Sequence, residues 1–437
     1  MADPRLDGTS IADSVVDLIG HTPLVRMKRT MELENLPAVL AMKLETTNPG
    51  GSSKDRPALE MILAAERDGS LRPGGTIVEP TSGNTGVGLA IVAAQRGYDC
   101  VFVMTDKVAP EKVSLLQAYG AEVVVCPVAV PPDDPQSYYS VAARLTIERD
   151  AFRPNQYANP NNPLAHTKTT GPEIWEQTDG RITHFVAGAG TCGTLTGTAR
   201  YLKEQNPAIQ VIAADPEGSV FSGGSGRPYL VEGVGEDFFP AAWEPDLYDG
   251  VIAISDEESF LTARRISRTE GILIGGSGGM AVAAAIKVAR DAGPDGLVVV
   301  LNPDSGRGYL SRVFDDKWMA NYGFLVECTE CIAAVLDARS ESQPTLIYVN
   351  PAETVRVAIE RMRANGISQL PVCKNTPPFA AAEVAGSVDE LELMESIAND
   401  ASVMDLPVEA VMGPRLPTIG AGQKLELALE MLHTAPA

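Results

Sequence analysis

The sequence predicts an α/β fold in which parallel sheets are covered by helices. Short apolar runs typical of strands alternate with longer helical patterns up to about residue 320. A chain of 437 residues is also too long for one ordinary hydrophobic core, so we expect two or three domains. A third observation, an internal repeat after residue 345, predicts a small α+β domain towards the C-terminus.

The predicted elements follow one another with short turns or with proline-rich loops, at 127–135 and 153–163. The predicted strands are 38–44, 76–79, 100–104, 122–126, 185–187, 211–214 and 297–301. The predicted helices of the first half include 57–67, 87–95 and 111–119.

Composition and charge argue against several classes of function. A net charge of −22 without clustered Lys and Arg argues against nucleic-acid binding, because phosphate backbones are bound by basic patches. No apolar run approaches the roughly 18 residues of a membrane-spanning helix, and the N-terminus lacks the pattern of a signal peptide. Six widely spaced cysteines are typical of a reduced protein. We therefore expect a cytoplasmic protein.

Histidine and cysteine positions predict neither a metal site nor a hydrolase triad. The four histidines are scattered along the chain. Cys328 and Cys331 have the spacing of a metal or redox pair, but no second pair or nearby histidine completes a site. We expect these two cysteines to belong to a linker.

Lys54 is the first candidate catalytic residue. It ends the segment Asn48-Pro-Gly-Gly-Ser-Ser-Lys54, at a turn between predicted strand 38–44 and predicted helix 57–67. Glycines let the backbone approach a ligand closely, and a desolvated lysine can become a neutral amine that forms a Schiff base. A lysine at a helix start is more commonly solvated, so this segment alone leaves both interpretations open.

A second motif predicts a phosphate site. Gly188-Ala-Gly-Thr-Cys-Gly193 follows predicted strand 185–187 and opens a helix, and Asp215 closes the next strand 22 residues after Gly193. This arrangement matches the dinucleotide fingerprint, so an NAD-dependent dehydrogenase is an alternative. In either case the N–H groups of a helix N-terminus would bind the phosphate.

Two further glycine-rich segments stand before predicted helices. Glu79-Pro-Thr-Ser-Gly-Asn-Thr-Gly86 precedes helix 87–95, and its simplest interpretation is a turn with a helix cap. Gly275-Gly-Ser-Gly-Gly279 precedes an alanine-rich helical segment and would by itself be a flexible loop.

Taken together, and in their order along the chain, the four motifs resemble those of the cysteine synthase/cystathionine β-synthase family of pyridoxal-phosphate enzymes. The resemblance covers roughly residues 12–322. It implies the fold-type II (tryptophan synthase β-like) architecture of two subdomains, of which about 82–160 is mobile. Segments 162–166, 215–219 and 303–319 look more like the cystathionine β-synthase branch than like plain cysteine synthases.

The resemblance also implies a role for each motif residue. Lys54 holds the cofactor and is the catalytic residue, Asn84 binds the ring hydroxyl of pyridoxal phosphate, and Ser277 faces its pyridine nitrogen. The remaining residues implied are Gly190, Thr191, Cys192, Gly193 and Thr194 at the cofactor phosphate, and Thr81, Ser82, Thr85, Gln156 and Tyr157 at the substrate.

The implied reaction is β-replacement on L-serine by L-homocysteine, which gives L-cystathionine and water. The alternatives are a cysteine synthase that uses O-acetylserine or O-phosphoserine with sulfide, another β-replacement synthase, the dehydrogenase named above, and an inactive sensor. Intact Lys54, Asn84 and Ser277 speak against the last. The first cysteine is Cys100, so the sequence has no counterpart of the haem-binding extension, and we expect no haem.

Three positions depart from the family pattern. Cys192 stands where the family usually has glycine, Glu236 where animal and fungal members usually have tyrosine, and Gly308 lies near the end of the core. We expect Cys192 to be an inert thiol and Glu236 to alter the pocket of the second substrate.

The C-terminal repeat aligns 349–360 with 419–430, at an offset of 70 residues. In both copies a short strand and a turn precede an amphipathic helix, which resembles a tandem pair of CBS motifs (a Bateman module). The first copy continues into strand 366–372, and the sequence ends where the second such strand would begin.

We therefore expect a catalytic core at 1–322, a linker at 323–345 and a CBS-motif module at 346–437 whose second motif is truncated. The resemblance implies S-adenosylmethionine or an adenine nucleotide as ligand of the module. It also implies amino-acid substrates and a homodimer or higher homo-oligomer.

Overall fold

The structure is a computed structural model that describes residues 11–81, 83–105, 108, 110–127, 134–325, 331–337, 346–377 and 379–434. The chain divides into two compact units. The first comprises Met1–Gly226 and Leu230–Val313, and the second comprises Arg227–Tyr229 and Phe314–Ala437. Each unit has its own buried hydrophobic core.

Helices and strands alternate through the first unit, and the α/β prediction is confirmed. The strands are β1 (Leu24–Arg26), β2 (Val39–Leu44), β3 (Thr76–Pro80), β4 (Asp99–Thr105), β5 (Glu122–Cys126), β6 (His184–Gly188), β7 (Gln210–Pro216), β8 (Gly250–Ile254), β9 (Leu297–Asn302), β10 (Gln369–Cys373) and β11 (Val384–Asp389). The helices are α1 (Lys28–Leu33), α2 (Asp55–Asp68), α3 (Asn84–Arg96), α4 (Pro110–Ala118), α5 (Tyr138–Glu148), α6 (Asn161–Lys168), α7 (Thr170–Gln177), α8 (Gly193–Gln205), α9 (Asp256–Thr269), α10 (Gly276–Asp291), α11 (Asp316–Asn321), α12 (Ile332–Asp337), α13 (Val355–Asn365), α14 (Glu390–Asn399) and α15 (Leu425–Thr434).

The larger sheet of the first unit has the strand order β1-β2-β9-β6-β7-β8. All neighbours are parallel except β1 and β2. Its central strands are apolar and buried, as expected for a parallel sheet covered by helices. The sequence analysis missed β1 and β8. β1 has only three residues, which is too few to form a clear apolar run. β8 does have an apolar run, Gly250–Ile254, which was not assigned as a strand.

The smaller sheet of the first unit is parallel, with the order β3-β4-β5. Phe102 and Leu89 are fully buried in one core beside it, and Val103 and Ala142 in a second. Strands β4 and β5 and helices α3 to α5 lie within the region that we expect to be mobile, about 82–160.

The C-terminal ends of parallel strands bring the sequence motifs together. The segment that leads to Lys54 follows β2, the loop before Asn84 follows β3, and the glycine-rich phosphate loop follows β6. The segment from Pro303 follows β9, which lies between β2 and β6. Ligands of open α/β sheets bind at such carboxyl edges, so this topology predicts where a site should lie.

The second unit contains the repeat. Helix α13 starts at Val355 and α15 at Leu425, which is the spacing of 70 residues found in the sequence. The predicted strand after the first helix is β10, paired antiparallel with β11. Val349, predicted to start a strand, forms only an isolated bridge with Val372.

The described part of the predicted linker interacts with the second copy of the repeat. Cys331 forms an antiparallel bridge with Lys424, and the Ala333 N–H donates to the Ala421 carbonyl at 2.7 Å. Cys328 lies outside the described residues. Among the described residues no helix combines the length and apolar character needed to cross a membrane.

A buried cluster of charges fixes the start of α2. The Arg56 guanidinium donates from Nε to Glu45 at 2.7 Å and from Nη1 to Glu173 at 2.6 Å. Lys43 donates to the same Glu173 carboxylate at 2.6 Å, and Thr22 donates to Glu45 at 2.7 Å. The cluster joins β2, the following turn, α2 and α7 around two cations and two anions.

The charges of this cluster persist over a wide pH range. Desolvation raises the pKa of Glu173, but hydrogen bonds and charges of Arg56 and Lys43 outweigh it and lower the pKa to about 2. A depressed carboxyl pKa stabilises the fold above its ordinary value near 4.5. This contribution is lost as the pH falls from about 4.5 towards 2.

Replacing Arg56 should strongly destabilise the first unit. Arg56→Met leaves two buried carboxylates without their main partner, so we expect a loss of about 3–5 kcal/mol in the free energy of unfolding. Urea denaturation measures it. The control is Arg96→Met, which removes a partly exposed pair with Glu66 and should cost less than about 1 kcal/mol. Equal losses in the two variants would contradict the role given to the cluster.

Candidate active site

Lys54 is held at the N-cap of α2 by bonds on both sides of its loop. The Ser53 N–H donates to the Pro303 carbonyl at 2.8 Å, and the Asn48 amide donates to the Ser52 carbonyl at 3.0 Å. The loop is thus tied to the segment after β9 and to itself. These bonds fix the backbone at Lys54 and therefore the direction in which its side chain leaves the backbone.

The Lys54 amine lies in a site that disfavours its charge. Desolvation lowers the pKa of Lys54, although Asp304, Cys192 and Glu236 act in the opposite direction. These three groups lie near the amine. Asp304 belongs to the segment after β9, Cys192 to the phosphate loop and Glu236 to a loop that follows β7. A lysine that is neutral more readily than usual is the form that attacks carbonyl carbons.

The glycine-rich loop between β6 and α8 is shaped for a ligand. Cys192 is its N-cap, with a left-handed φ of 62°. This explains why glycine suits the position, since other residues rarely adopt such a φ. A Cβ on Gly190 would lie 2.9 Å from the Gly233 carbonyl, and a Cβ on Gly193 would overlap the Asn162 amide. The loop therefore has no room for larger residues, and its first-turn N–H groups have no intrahelical partners.

Two side chains brace this loop from α6. The Asn162 amide donates to the Gln156 carbonyl at 2.8 Å and to the Thr191 hydroxyl at 3.1 Å. The His166 ring lies 3.1 Å from the Thr194 hydroxyl through Nε2. Desolvation and the Arg56 charge lower the pKa of His166 to about 3, so the ring is neutral. His166 thus orients Thr194 without adding charge.

The predicted substrate residues lie on the segments that follow β3 and α5. The Thr85 hydroxyl donates to the Gln156 side chain at 2.7 Å, and both residues are buried. The Gln156 N–H donates to the Glu79 carboxylate at 3.0 Å, which fixes the backbone there. Thr81 is buried beside them, whereas Ser82 lies outside the described residues.

Asn84 belongs to a polar chain that the sequence analysis did not identify. Its amide donates to Asp304 at 2.8 Å, and the Tyr309 hydroxyl donates to the same carboxylate oxygen at 2.7 Å. Asn84, Asp304 and Tyr309 also line a cleft of about 690 Å³, whose lining includes neither Lys54 nor the phosphate loop. Asp304 was quoted in a family-like string, but its partner Asn84 is 220 residues away.

Ser277 lies in the first turn of α10, 4% exposed. Nearby, at the end of β9, Asn302 is fully buried, and neither of its amide atoms has a hydrogen-bond partner among the described residues. A Cβ on Gly278 would overlap the Asn302 side chain, so the two lie together. Oδ1 of Asp304 is likewise buried without a partner.

These observations fit pyridoxal phosphate. This ligand has a phosphate, an aldehyde and a polar ring. The loop of small residues suits the phosphate, and the Lys54 amine with its lowered pKa suits the aldehyde. The buried polar atoms without partners suit the polar ring. Among the described residues, no group of three or more His, Cys, Asp or Glu side chains is arranged to hold a metal ion.

Comparison with known proteins decides the family. A family model described as pyridoxal-phosphate dependent enzyme matches residues 15–304, more than half of the chain. The chain belongs to this family. The cofactor is therefore pyridoxal phosphate rather than a dinucleotide. A model of the CBS domain matches residues 342–398.

Individual relatives refine the comparison. The chain is 41% identical over 398 residues to a cystathionine beta-synthase of Oryctolagus cuniculus, covering 89% of this chain and 71% of that one. It is 43% identical over 309 residues to a cysteine synthase of Staphylococcus aureus, covering 70% of this chain and 98% of that one. The crystal structure of an O-ureido-L-serine synthase is similar with a TM-score of 0.67 and 37% identity, covering 70% of this chain and 96% of that one. The predicted fold class, enzyme family and cofactor are thus confirmed.

Most predicted site residues meet in the first unit. The Cys192 thiol, in the phosphate loop next to Thr191, lies near the Lys54 amine. Asn162 links that loop to Gln156, and Asp304 links Lys54 to Asn84. The sequence analysis gave no role to Asn162, His166, Glu79, Asp304 or Asn302. Asn162 and His166 lie in segment 162–166, Glu79 opens motif 79–86, and Asp304 lies in segment 303–307, so these four residues had a local signal in the sequence.

The phosphate loop should not tolerate a methyl group at Gly193. In Gly193→Ala the new Cβ collides with Asn162, so we expect cofactor affinity to fall at least about 10-fold, the effect of about 1.4 kcal/mol. Titration of the apoprotein with pyridoxal phosphate measures this. In the control Gly250→Ala, the Cβ meets only Ile212 at 3.4 Å, and affinity should not change.

Cys192 should be unreactive in the folded protein. Desolvation and the Glu236 charge raise the pKa of the thiol, so little thiolate forms at pH 8. We expect iodoacetamide to modify Cys192 only after unfolding, as peptide mass spectrometry would report. Cys192→Gly should keep cofactor affinity within about threefold, because glycine adopts the left-handed conformation without strain. Rapid native modification of Cys192 would refute this assignment.

Proposed function

We propose that this chain catalyses β-replacement on L-serine, with L-homocysteine as the second substrate and L-cystathionine and water as products. The observation that carries the proposal is the desolvated Lys54 amine between the phosphate loop and the Asn84–Asp304 pair. The named cystathionine beta-synthases among the relatives support the choice of substrates.

Lys54 is the group that moves protons in this proposal. Pyridoxal phosphate, when bound, supplies the electron sink that lets Cα lose a proton and the β-substituent leave. Neutral Lys54 removes the proton from Cα of serine and protonates the departing hydroxyl, which leaves as water. After the homocysteine sulfur has bonded to Cβ, Lys54 returns to Cα the proton that the thiol has given up.

Other residues hold the cofactor and the first substrate. We assign the cofactor phosphate to the segment from Gly190 to Thr194, the ring hydroxyl to Asn84 and the pyridine nitrogen to Ser277. The neutral Ser277 hydroxyl leaves that nitrogen largely unprotonated, which suits β-replacement better than transamination. The serine carboxylate is assigned to Thr81, Ser82 and Thr85 at the start of α3, with Gln156 and Tyr157 beside it.

A cysteine synthase that uses O-acetylserine or O-phosphoserine with sulfide is the second candidate. It is supported by the 43% identity to the Staphylococcus aureus cysteine synthase, an alignment that covers 98% of that protein. Products identified by mass spectrometry after incubation of serine, O-acetylserine or O-phosphoserine with homocysteine or sulfide distinguish the two. Cystathionine from serine as the main product supports the first candidate, and cysteine from an activated serine supports the second.

We also propose that the CBS-motif module binds an adenosine-containing ligand, with S-adenosylmethionine as the first to test. The CBS-domain match and the paired repeat support a nucleotide-binding role. Calorimetry with S-adenosylmethionine and with ATP tests it, and absence of heat with both would leave the module a structural one. We further propose that the protein is a homodimer in the cytoplasm. Light scattering measures the oligomeric state.

Lys54→Ala should abolish turnover of serine and the visible absorbance of the Schiff base. No other side chain is assigned either task. The control is Lys203→Ala, a surface lysine paired with Asp249, which should keep both properties. Turnover by Lys54→Ala within about 10-fold of the unmodified enzyme would refute the assignment, since loss of a general acid–base group costs about 100-fold or more.

A further inference from the structure

Glu236 lies in the site, but the reaction described above assigns no task to its carboxyl group. Its carboxylate interacts with the Tyr157 hydroxyl and with the Lys54 amine. Among the described residues no lysine, arginine or histidine forms an ion pair with it. A desolvated carboxylate without a close ion pair is costly to keep charged, so a cationic ligand would stabilise the charged form of Glu236.

The backbone holds Glu236 in place. Its N–H donates to the Ser219 hydroxyl at 3.1 Å, and its carbonyl accepts from the Val220 N–H at 3.0 Å. One residue earlier, the Gly235 N–H donates to the Ala189 carbonyl at 2.7 Å, just before the phosphate loop. The carboxylate is therefore presented to the site by a fixed segment that is joined to the cofactor loop.

Three tyrosine hydroxyls lie within electrostatic range of the carboxylate. The Glu236 charge raises the pKa values of Tyr138, Tyr139 and Tyr157, after the larger effect of desolvation. The Tyr157 and Phe238 rings lie 5.4 Å apart between centroids. Such rings bind methylene groups by apolar contact and cations by their electron-rich faces. A carboxylate among aromatic rings is a setting that suits an alkylammonium group.

We infer that Glu236 binds the α-ammonium group of the second amino-acid substrate. This inference rests on the proposed function, in which a thiol must reach Cβ of the first substrate beside Lys54. Homocysteine carries an ammonium group that a carboxylate attracts, whereas the hydrosulfide anion carries a charge that it repels. Glu236 thus favours an amino-acid thiol over sulfide.

The protonation of Glu236 is consistent with such a role. Desolvation and the neighbouring Asp237 raise its pKa to about 7, against the effects of Tyr157 and Lys54. An arriving ammonium group favours the charged carboxylate, so binding of the amino acid draws Glu236 to its anionic form.

The test compares homocysteine with 4-mercaptobutanoate, the same thiol without the amino group, in cofactor-loaded full-length enzyme. In Glu236→Gln we expect KM for homocysteine to rise at least about 10-fold, because a charge-assisted hydrogen bond is lost. KM for serine and kcat/KM for 4-mercaptobutanoate should change less than about threefold. Glu236→Asp should retain part of the preference for homocysteine. Glu257→Gln, which removes an exposed carboxylate from the first turn of α9, is the matched control and should change neither KM.

Three outcomes would overturn the inference. An unchanged KM for homocysteine in Glu236→Gln contradicts it directly. An equal fall in kcat with both thiols would make Glu236 the acceptor of the thiol proton, and a higher KM for serine would make it a positioning residue for Tyr157. The Schiff-base absorbance and Tm of each variant show whether the site is still formed. If the unmodified enzyme made no cystathionine from serine and homocysteine, the proposed function would fail instead.

Discussion

The first unit is organised around a buried guanidinium that cannot give up its charge. Arg56 lies two positions after Lys54, and its two carboxylate partners come from the turn after β2 and from α7. Since an unpaired buried charge is far more costly than a paired one, these elements have essentially one low-energy arrangement around Arg56. The position of Lys54 follows from that arrangement, because Lys54 is the N-cap of the helix whose first turn contains Arg56.

Parallel strands then bring together groups that are far apart in the sequence. Each motif follows a strand, and the carboxyl ends of β2, β9 and β6 are neighbours in one sheet. Short side chains and bare glycine backbone occupy the centre of the site, where a phosphate and a ring must fit. Larger polar residues such as Asn162 and His166 stand behind them and fix their orientation. These larger residues keep the loop rigid from behind, so the surface that faces the ligand remains free to bind it.

Local patterns were sufficient to predict much of this. Contiguous motifs with distinctive glycines predicted Lys54, Asn84 and the phosphate loop as site residues. Strands buried on both faces were identified because their apolar runs are continuous. The edge strand β1 was missed because three residues form no clear apolar run. β8 was missed although its apolar run, Gly250–Ile254, is continuous. The Asn84–Asp304 pair and the contacts of Glu236 depend on tertiary packing, which no local spacing encodes. Family resemblance pointed to position 236, but only the structure shows that the Glu236 carboxylate interacts with the Tyr157 hydroxyl and the Lys54 amine.

The wide separation of Asn84 and Asp304 has a consequence for biogenesis. A ribosome that has released the first 200 residues has already made Lys54 and the phosphate loop, yet Ser277 and the carboxylate that holds Asn84 are still to come. The central strand β9 is also among the last parts of the catalytic unit to emerge. The nascent chain therefore has no complete pocket for the cofactor until the unit is almost fully translated. With the site residues assigned above, we expect cofactor binding to follow synthesis of nearly the whole unit.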